Sequence, residues 1–483
     1  MNRATLPMPV RAKPFAHQRA AFDFVCAKFG IDGGVKSSDG VALLMEMGCG
    51  KTLVAVAVAA ALYRYGYGNR VLVAAPLSIL GVWRDEFTRF ADAPVEVSVL
   101  EGSTAKKKAA LAAISDDDRL RVVVVNYESA WRMEKELLAF HPTLVIADEA
   151  HKIKETRTAQ SRAMHRIGDR APFKLLLTGT VITNRELDVY SQYRFLNSRV
   201  FGNSFYAFRN RYFDMVGYGN HIPRFRKHMT DEFLQRLHSV AYRVTKDECL
   251  DLPEVTEEIR TVELEPAAMK LYQELERDSY TELADSEVSA VNVLTRLLRL
   301  SQITGGYLTG DDGASKPVST AKLDALADII DSVIAGDGKL VVMARFTTEL
   351  DDIQKLLERR GVGYAVVRGG VRDRDEEIRR FQEDAGCRVF LGQIAAAGLG
   401  ITLTAASTMV FFSLDYSMSN FEQAKARIHR AGQKRNCHYI YLVADGTVDM
   451  KVIKALRDKA DLAKILVDDY RRGRNLFREE NAK

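Results

Sequence analysis

The sequence is poor in cysteine and has no long hydrophobic run, and both absences narrow what the protein can be. Its five cysteines are scattered, without a Cys-x-x-Cys pair or a histidine cluster, so the sequence predicts neither a zinc site nor a disulfide framework. The first 14 residues lack the apolar core of a secretion signal, and no later stretch is long and apolar enough to span a bilayer. We therefore expect an intracellular, soluble protein without membrane contact.

The length and charge of the chain limit the number of its domains and the kinds of partner that it can bind. A chain of 483 residues is long enough for two or three domains, each with its own core. The formal net charge of +5 and the pI near 8.7 permit a polyanionic partner without requiring one. No internal repeat, nuclease motif, zinc finger or chromatin-reading module is recognisable. Evidence for a function must therefore come from short motifs and from the distribution of charge.

The most informative stretch is an apolar run that ends in a glycine turn. The run, residues 41–45, predicts a buried strand, and the Ala-, Val- and Leu-rich residues 53–65 predict a helix. Between them lies Met47-Gly48-Cys49-Gly50-Lys51-Thr52. Its glycines let backbone N–H groups face a phosphate, with Lys51 at the β and γ oxygens and Thr52 on Mg²⁺. Although Met45 replaces the first glycine of the full phosphate-loop pattern, the stretch predicts a site for a nucleoside triphosphate such as ATP.

Four further apolar runs follow, at residues 70–75, 121–125, 144–147 and 174–177, with helical patterns between them. This alternation predicts a parallel sheet covered on both faces, whose functional loops lie at the carboxyl ends of the strands. Asp148 and Glu149 come at the end of a buried strand, where two carboxylates are costly unless a cation meets them. We expect Asp148 to hold Mg²⁺ with Thr52, and Glu149 to orient or deprotonate the attacking water.

A second group of strands and helices begins near Lys339. Apolar strands are predicted at 339–344, 362–367, 388–391, 410–414 and 439–443. A helix predicted from Asn420 to Gln433 places Gln423, Arg427 and Arg430 on one face. Two guanidiniums on one face repel each other unless they meet an anion. A γ-phosphate would supply that anion, and Arg430 would then stabilise the charge of the transition state, with Arg427 beside it.

The segment between Arg199 and Lys246 is basic and rich in aromatic residues. It contains seven basic residues and only three acidic ones, with phenylalanines and tyrosines interleaved. Such a segment is typical of contact with a nucleic-acid backbone. It is equally typical of a subdomain whose aromatic rings form the core and whose arginines are solvated. Both interpretations stay open at the level of the sequence.

The order of these motifs resembles that of superfamily 2 helicases, and specifically the SWI/SNF-like remodeller ATPases. Residues 46–52, the Asp-Glu-Ala-His-Lys-Ile-Lys of residues 148–154 and residues 177–184 resemble motifs I, II and III. The glycine loop 395–403 resembles motif V, and the pattern from Gln423 to Gln433 lies at the expected place in a second lobe. The resemblance extends from Phe15 to about Leu466. Departures include Val181, where the family has proline, and the absence of a tryptophan near Met418.

The resemblance also implies roles for individual residues. The implied catalytic residues are Lys51, Asp148, Glu149, Arg427 and Arg430. The glutamine that reads adenine maps onto Gln18, and the implied nucleotide-binding set is Gln18, Met47, Gly48, Cys49, Gly50, Lys51, Thr52, Gly400 and Gln423. The implied nucleic-acid contacts are Pro76, Leu77, Ser78, Asn126, Tyr127, Lys154, Thr180, Gly398 and Thr402.

Together these observations predict an α/β protein with two RecA-like parallel-sheet lobes and a mostly helical insertion between them. The expected divisions are a first lobe at 1–198, an insertion at 199–320, a second lobe at 321–470 and a charged tail at 471–483. We expect a monomeric translocase that hydrolyses ATP between its lobes and tracks along double-stranded DNA. Single-stranded or branched DNA is the alternative form of the DNA partner, and a protein partner could supply targeting. The alternatives are a strand-separating DNA or RNA helicase and a nucleotide-gated DNA-binding clamp.

Overall fold

The structure, a computed structural model, describes residues 6–179, 186–216, 222–249, 252–284, 290–310, 314–370, 373–397 and 401–458. The chain divides into two compact units, Met1–Asp251 and Leu252–Lys483. Each unit is built on one parallel β-sheet connected by helices. This confirms the predicted α/β class with two parallel-sheet lobes.

The sheet of the first unit has seven strands. The strands of this unit are β1 (Gly40–Met45), β2 (Arg70–Ala75), β3 (Val95–Val99), β4 (Leu120–Asn126), β5 (Leu144–Asp148), β6 (Phe173–Thr178), β7 (Phe213–Val216), β8 (Ile222–Phe225) and β9 (Ala241–Val244). The sheet order is β3-β4-β2-β5-β6-β1-β9, and β7 and β8 pair as a separate antiparallel hairpin. All five core strands predicted from apolar runs are present. Strand β3 was not predicted, because this edge strand is only half-buried and alternates Val with Glu and Ser.

Twelve α-helices are described in the first unit. They are α1 (Ala16–Phe29), α2 (Lys51–Arg64), α3 (Leu80–Phe90), α4 (Thr104–Ala112), α5 (Tyr127–Arg132), α6 (Glu134–Ala139), α7 (Ala159–Arg170), α8 (Val189–Leu196), α9 (Ser198–Phe201), α10 (Phe205–Tyr212), α11 (Thr230–His238) and α12 (Lys246–Cys249). Every residue of α2 from Val54 to Leu62 is buried, as its uniformly apolar sequence requires. The helix that follows the glycine turn is therefore fixed in the interior of the unit.

The aromatic residues of the segment 199–246 are mostly core residues. Phe208, Tyr212 and Phe233 are buried and make tilted or edge-on ring contacts with one another. They belong to the same hydrophobic cluster as the residues on one face of the first sheet. The described part of this segment therefore supports the structural interpretation of its aromatic rings.

The basic residues of the same segment fall into two groups. Arg226 donates to the Asp214 carboxylate at 2.9 Å and to the Arg211 carbonyl at 3.1 Å, so it ties the hairpin to α10. Arg224 and Lys227, on either side of it, have exposed side chains. Arg224 and Lys227 therefore remain candidates for nucleic-acid contact, as do the exposed Arg243 and Arg211, the second of which pairs with Glu232.

The sheet of the second unit has six parallel strands. The strands of this unit are β10 (Val255–Val262), β11 (Tyr307–Thr309), β12 (Ser315–Pro317), β13 (Leu340–Ala344), β14 (Gly363–Val367), β15 (Cys387–Gln393), β16 (Thr408–Phe411) and β17 (Cys437–Ala444). The sheet order is β10-β17-β16-β13-β15-β14, and β11 and β12 form a short antiparallel pair. Alternate residues of β13 and β17 belong to two different hydrophobic clusters, so both faces of this sheet are covered.

Eight helices are described in the second unit. They are α13 (Pro266–Ala284), α14 (Ala290–Thr304), α15 (Ala321–Ala335), α16 (Thr347–Arg360), α17 (Arg374–Glu383), α18 (Ile394–Ala397), α19 (Met418–Lys425) and α20 (Val448–Arg457). Residues of α14 and α20 pack on one face of the sheet, and residues of α15 and α16 pack on the other. No helix in the described parts of either unit is long and apolar enough to cross a membrane.

The predicted insertion at 199–320 is divided between the two units. Strand β9 pairs with β1 and completes the first sheet, whereas β10 pairs with β17 along its whole length and completes the second. Strand β10 leaves no apolar run in the sequence, because most of its residues are polar and it lies at an edge of the sheet. The boundary between the two compact units lies at 251/252, and both strands and helices form the region 199–320, for which the predicted divisions at 198 and 320 stay a prediction. The predicted tail 471–483 lies outside the described residues.

Candidate active site

The predicted motif residues of the first unit lie at the carboxyl edge of its sheet. Strands β1 and β5 flank β6, and their register places Leu43 and Asp148 on either side of Leu177. The glycine turn after β1 and the carboxylates after β5 therefore leave the sheet at nearly the same level. This is the edge at which parallel α/β sheets bind their ligands.

The glycine turn has the backbone geometry of a phosphate-binding loop. Gly48 and Gly50 have φ angles of 91° and 79°, which favour glycine. A Cβ atom at Gly50 would lie 2.0 Å from Nε2 of Gln18, so a larger residue would clash there. Helix α2 begins at Lys51, directly after this turn, and its first N–H groups form the positive end of the helix dipole. The loop is therefore suited to an anionic phosphate.

Lys51 lies close to both the loop and the carboxylates. Its Nζ donates to the Met45 carbonyl at 2.8 Å and lies 3.4 Å from the Glu46 carbonyl. Its positive charge also lowers the pKa of Asp148, against the larger effects that raise it. The structure thus brings together the lysine and the carboxylate that the sequence predicted for one site.

The start of α1 is bonded to the phosphate loop. Gln18 is buried, and its Nε2 donates to the Cys49 carbonyl at 3.3 Å while its Oε1 accepts from the Phe15 N–H at 2.9 Å. Nε2 of His17 lies 2.9 Å from the same Cys49 carbonyl. These contacts place Gln18 at the predicted site and make it a support for the loop. Its contact with adenine stays a prediction.

Asp148 is held by three neighbours. Its Oδ2 accepts from Nε1 of Trp83 at 2.9 Å, and its Oδ1 accepts from the Glu149 N–H at 2.9 Å. The Tyr127 hydroxyl donates to its backbone carbonyl at 2.6 Å. Burial, together with the nearby Glu149 charge, raises the pKa of Asp148 to about 6. Trp83 was not among the predicted site residues, because nothing in the sequence around it marks a contact with Asp148.

Glu149 has an unusual backbone conformation. Its φ and ψ of 49° and 53° lie in the left-handed region, which non-glycine residues rarely occupy. Its side chain is buried, and its Oε2 lies 3.3 Å from Nδ1 of His151. Strained backbone of this kind is concentrated at functional sites. The arrangement suits a carboxylate that must be held next to Asp148 despite the repulsion between them.

The residues at this edge fit Mg²⁺ together with a nucleotide. The described residues contain no group of three or more His, Cys, Asp and Glu side chains that could hold a metal by itself. Mg²⁺ needs no such group, because it is commonly held by one or two carboxylates together with water and phosphate oxygens. Asp148, and Thr52 in the first turn of α2, are the residues that would hold it.

The residues of the first unit that were predicted to contact nucleic acid differ in their solvent exposure. Leu77, in the turn that follows Pro76, is 65% exposed, as a contact residue should be. Tyr127 is only 2% exposed and its hydroxyl donates to the Asp148 carbonyl, so its contact with nucleic acid stays a prediction. Asn126 is also buried, and its Nδ2 donates to the Glu128 carboxylate at 2.7 Å.

The remaining predicted contacts are only partly described. Nζ of Lys154 lies 3.8 Å from the buried Asp188 carboxylate, and Thr402 is half-buried. The Ser78 side chain, Thr180, Gly398 and the predicted nucleotide contact Gly400 lie outside the described residues. The predictions for these residues remain untested.

In the second unit, the predicted arginines lie in turns that follow a short helix. Helix α19 ends at Lys425, so the predicted helix through Gln433 is wrong. Nε of Arg427 donates to the Gln423 carbonyl at 2.9 Å, while the Arg427 N–H bonds the Ala424 carbonyl at 3.0 Å. In a continuing α-helix, the Arg427 N–H would donate to the Gln423 carbonyl. Here the side chain of Arg427 donates to that carbonyl instead.

Arg427 and Arg430 nevertheless come together. Nη1 of Arg427 and Nη1 of Arg430 both donate to the Ile401 carbonyl, at 3.1 and 3.0 Å. Gln433 holds the turn closed, because its Nε2 donates to the Ala406 carbonyl at 2.8 Å and to the Ile428 carbonyl at 3.1 Å. Gln423 and Arg427 are buried and Arg430 is half-buried. Two positive charges therefore meet at Ile401, within the predicted glycine loop 395–403.

Two family models match the sequence. Residues 25–305 match the SNF2-related domain, and residues 321–432 match the helicase conserved C-terminal domain. The first match contains the phosphate loop and the Asp148–Glu149 pair, and the second contains Arg427 and Arg430. The predicted resemblance to SWI/SNF-like superfamily 2 enzymes is confirmed.

Curated relatives and solved structures match nearly the whole chain. An uncharacterized ATP-dependent helicase of Mycoplasma pneumoniae is 28% identical over 465 residues, which cover 93% of this chain and 42% of the relative. A RAD54-like DNA repair and recombination protein of Drosophila pseudoobscura pseudoobscura is 23% identical, over 98% of this chain and 65% of its own. The chain thus spans less than two thirds of these relatives.

Among solved structures, the Sulfolobus solfataricus SWI2/SNF2 ATPase core in complex with dsDNA is 22% identical. Its TM-score is 0.47, with 97% of this chain and 98% of that chain covered. Family membership rests on the sequence models, since the SNF2-related domain alone covers more than half of the residues. The chain therefore belongs to the SNF2-related family of helicase-type ATPases.

Proposed function

We propose that the chain hydrolyses ATP and uses the energy to move along double-stranded DNA. The observation that carries this proposal is the alignment of the phosphate loop with Asp148 and Glu149 at one sheet edge, in a member of the SNF2-related family. Lys51 and the N–H groups of the loop would bind the β- and γ-phosphates. Asp148 and Thr52 would hold Mg²⁺, which neutralises charge on the phosphate oxygens when it is bound.

Glu149 is the residue best suited to act on water. Its carboxylate can accept a proton from the attacking water or orient it by a hydrogen bond. His151 lies within 3.3 Å and fixes the position of this carboxylate. The nearby positive charge of Lys51 favours the ionised form of Asp148, which is the form that can bind a cation. The neighbouring carboxylates therefore have different tasks.

Arg427 and Arg430 would complete the reaction from the second unit. Their shared contact with the Ile401 carbonyl supports this, because it holds two guanidiniums together where an anion would be favoured. An arginine that meets the γ-phosphate raises turnover by about 10³- to 10⁵-fold in phosphoryl-transfer enzymes. Since each unit supplies a different part of the chemistry, hydrolysis would depend on a conformational change that DNA could promote.

Contact with DNA would be made mainly through phosphates. Arg224 and Lys227 have exposed side chains, and Leu77 is exposed at the carboxyl edge of the first sheet. Contacts of this kind carry little sequence information, so the enzyme would accept most duplex sequences. A curated relative named a DNA repair and recombination protein is consistent with a DNA substrate.

Two other functions remain as alternatives. A strand-separating helicase would use the same ATP site, but it would also need an element that splits the duplex. A nucleotide-gated clamp would bind DNA with little turnover. The clamp is less well supported, because it would need neither a strained Glu149 nor a paired Arg430.

A strand-displacement experiment distinguishes the three functions. A third strand bound in the major groove of a duplex is released when a protein moves along the duplex, whereas a forked duplex reports strand separation. We expect ATP-dependent release of the third strand, without separation of the fork and without release by a Lys51→Ala chain. Separation of the fork would favour the helicase. ATP-dependent retention on DNA without turnover would favour the clamp.

A further inference from the structure

Two cysteines that are 200 residues apart in the sequence meet beside the phosphate loop. Sγ of Cys249 lies 3.4 Å from Sγ of Cys49, and both are free thiols. Cys49 stands between the two glycines of the loop, and Cys249 is the last residue of α12. A sulfur of the predicted ATP site therefore touches a sulfur from a distant part of the first unit.

Backbone pairing explains why the two sulfurs meet. Strand β9 lies beside β1, with Val244 opposite Met45. The Glu46 N–H donates to the Val244 carbonyl at 3.1 Å, and the Lys246 N–H donates to the Glu46 carboxylate at 3.1 Å. The segments that leave both strands are thus joined on the way to their cysteines. The contact follows from the register of the sheet and does not depend on one side-chain rotamer alone.

We propose that Cys49 and Cys249 form a reversible disulfide that switches off nucleotide binding at the phosphate loop. This proposal rests on the proposed function, since it takes the loop to be the ATP site. A disulfide has a sulfur–sulfur distance of about 2.05 Å, so its formation would bring the two atoms about 1.4 Å closer than the present contact. One of the moving atoms belongs to the loop itself.

The reaction balances with a low-molecular-weight disulfide as the oxidant. The thiolate of the more exposed Cys249 attacks this disulfide and forms a mixed disulfide, releasing one small thiolate. The thiolate of Cys49 then attacks the Cys249 sulfur and releases the second small thiolate. Two protein thiols lose two protons and two electrons, and one small disulfide is reduced to two thiols. Burial raises the pKa of both thiols, that of Cys49 to about 12, so both steps are slow at neutral pH.

The surroundings of Cys49 would pass its displacement on to the phosphate-binding groups. Its carbonyl is held by His17 and Gln18 at the start of α1. The next residue, Gly50, packs so closely on Gln18 that a Cβ atom would clash. The loop cannot follow Cys249 without changing these contacts. The N–H groups of the loop, and Lys51 after it, would therefore lose the positions that bind a phosphate.

The experiment uses the full chain treated with oxidised glutathione and then freed of the reagent. Mass spectrometry of the digested protein should find the peptide of Cys49 joined to that of Cys249, and the five free thiols should fall to three. ATP affinity should fall at least tenfold and return after treatment with dithiothreitol. The matched control is Cys249→Ser, which should bind ATP like the reduced wild type before and after oxidation.

Several results would overturn the proposal. The first is the absence of the joined peptide, including the case in which only a glutathione adduct forms on Cys249. The second is a joined peptide with unchanged ATP affinity, and the third is equal inactivation of Cys249→Ser. Failure of the proposed function gives a different result, because reduced wild type would then not bind ATP even though the joined peptide could still form.

Discussion

The carboxyl edge of the first sheet and the arginine turn of the second unit are fixed in different ways. At the sheet edge, the phosphate loop and Asp148 each follow the last residues of a buried strand, and the strand register aligns them. In the turn, Arg427 and Arg430 converge because both donate to one backbone carbonyl, that of Ile401. The apolar runs of the sequence predict the first arrangement, because they locate the ends of the buried strands. The second depends on individual side-chain contacts that leave no periodic signal.

The two units also contain buried carboxylates with different surroundings. Asp148 lies near Lys51 and accepts from Trp83, and its pKa is raised to about 6. In the second unit, Oε2 of Glu349 accepts from the Ser413 hydroxyl at 2.5 Å and from the Phe346 N–H at 3.1 Å, and burial raises its pKa to about 7. A raised pKa is thus shared by a predicted catalytic residue and a structural one. Both carboxylates lie near a lysine, Lys51 or Lys322, so what distinguishes Asp148 is its place at the sheet edge beside the phosphate loop.

The largest effect is expected from Lys51→Ala, which tests the sheet edge. Loss of the ammonium group removes the counter-charge of the β- and γ-phosphates, so ATP hydrolysis should fall to background. The steady-state rate of phosphate release measures this. Lys106→Ala, at an exposed lysine of α4, is the matched control and should keep the wild-type rate. Normal turnover in the Lys51 variant would remove the assignment of the phosphate loop.

The next largest effect is expected from Arg430→Ala, which tests the turn. The variant should bind ATP almost normally and lose about 10³-fold in kcat, because the arginine acts mainly on charge that develops in the transition state. Equilibrium binding of a fluorescent nucleotide and single-turnover hydrolysis separate the two quantities. Lys434→Ala, which removes one charge from an exposed neighbour, is the control. If binding and rate fell by the same factor, Arg430 would have a structural role.

A third prediction concerns Glu349, the structural carboxylate. Its folded pKa of about 7 lies above the ordinary value of 4.5, so the folded protein binds this proton more tightly than the unfolded chain does. The resulting stability is fully present below pH 4.5 and is lost as the pH rises through 7, by about 3 kcal/mol in total. Glu349→Gln should abolish this part of the pH dependence.

Thermal melting of the full chain at pH 5.5 and pH 8 tests this prediction. The difference between the two melting midpoints should be smaller for Glu349→Gln than for the wild type. The control is Glu383→Gln, at an exposed glutamate of α17, which should behave like the wild type. An unchanged difference in the Glu349 variant would mean that this carboxylate does not control the pH dependence.

The smallest effect is expected from the double variant Arg224→Ala, Lys227→Ala. If both side chains meet DNA phosphates, duplex affinity should fall several-fold, and the slope of log affinity against log salt should decrease by about 1.8. Fluorescence anisotropy over a range of salt concentrations gives both values. Arg226→Ala is an informative comparison, because it breaks the bond to Asp214 and should lower thermal stability instead. Unchanged affinity and slope in the double variant would leave these residues with no role in DNA binding.

The sequence was sufficient to predict the sheet edge of the first unit. Buried parallel strands are continuous apolar runs, so the strand ends, and the residues that follow them, could be located from the printed letters. Gly50, Lys51 and Asp148 all lie where this reasoning placed them. The family resemblance added Gln18, which the structure finds in contact with the loop.

The parts that were missed depend on contacts between distant residues. Trp83 reaches Asp148 across 65 residues of sequence, and Cys249 reaches Cys49 across 200. Neither partner carries a local signal of its role. The end of α19 at Lys425 was missed for a related reason, since the side chain of Arg427 competes for a carbonyl within a segment that otherwise has a helical pattern. Edge strand β10 was mostly missed because its residues are polar.

The most direct measurement is the steady-state rate of ATP hydrolysis by the full chain with no nucleic acid, with single-stranded DNA, with duplex DNA and with RNA, at one low salt concentration. We expect strong stimulation by duplex DNA, and loss of that stimulated rate in both Lys51→Ala and Arg430→Ala. Stimulation mainly by RNA or by single-stranded DNA would contradict a duplex translocase and favour a helicase. A rate that no nucleic acid changes would contradict the coupling between DNA and the ATP site.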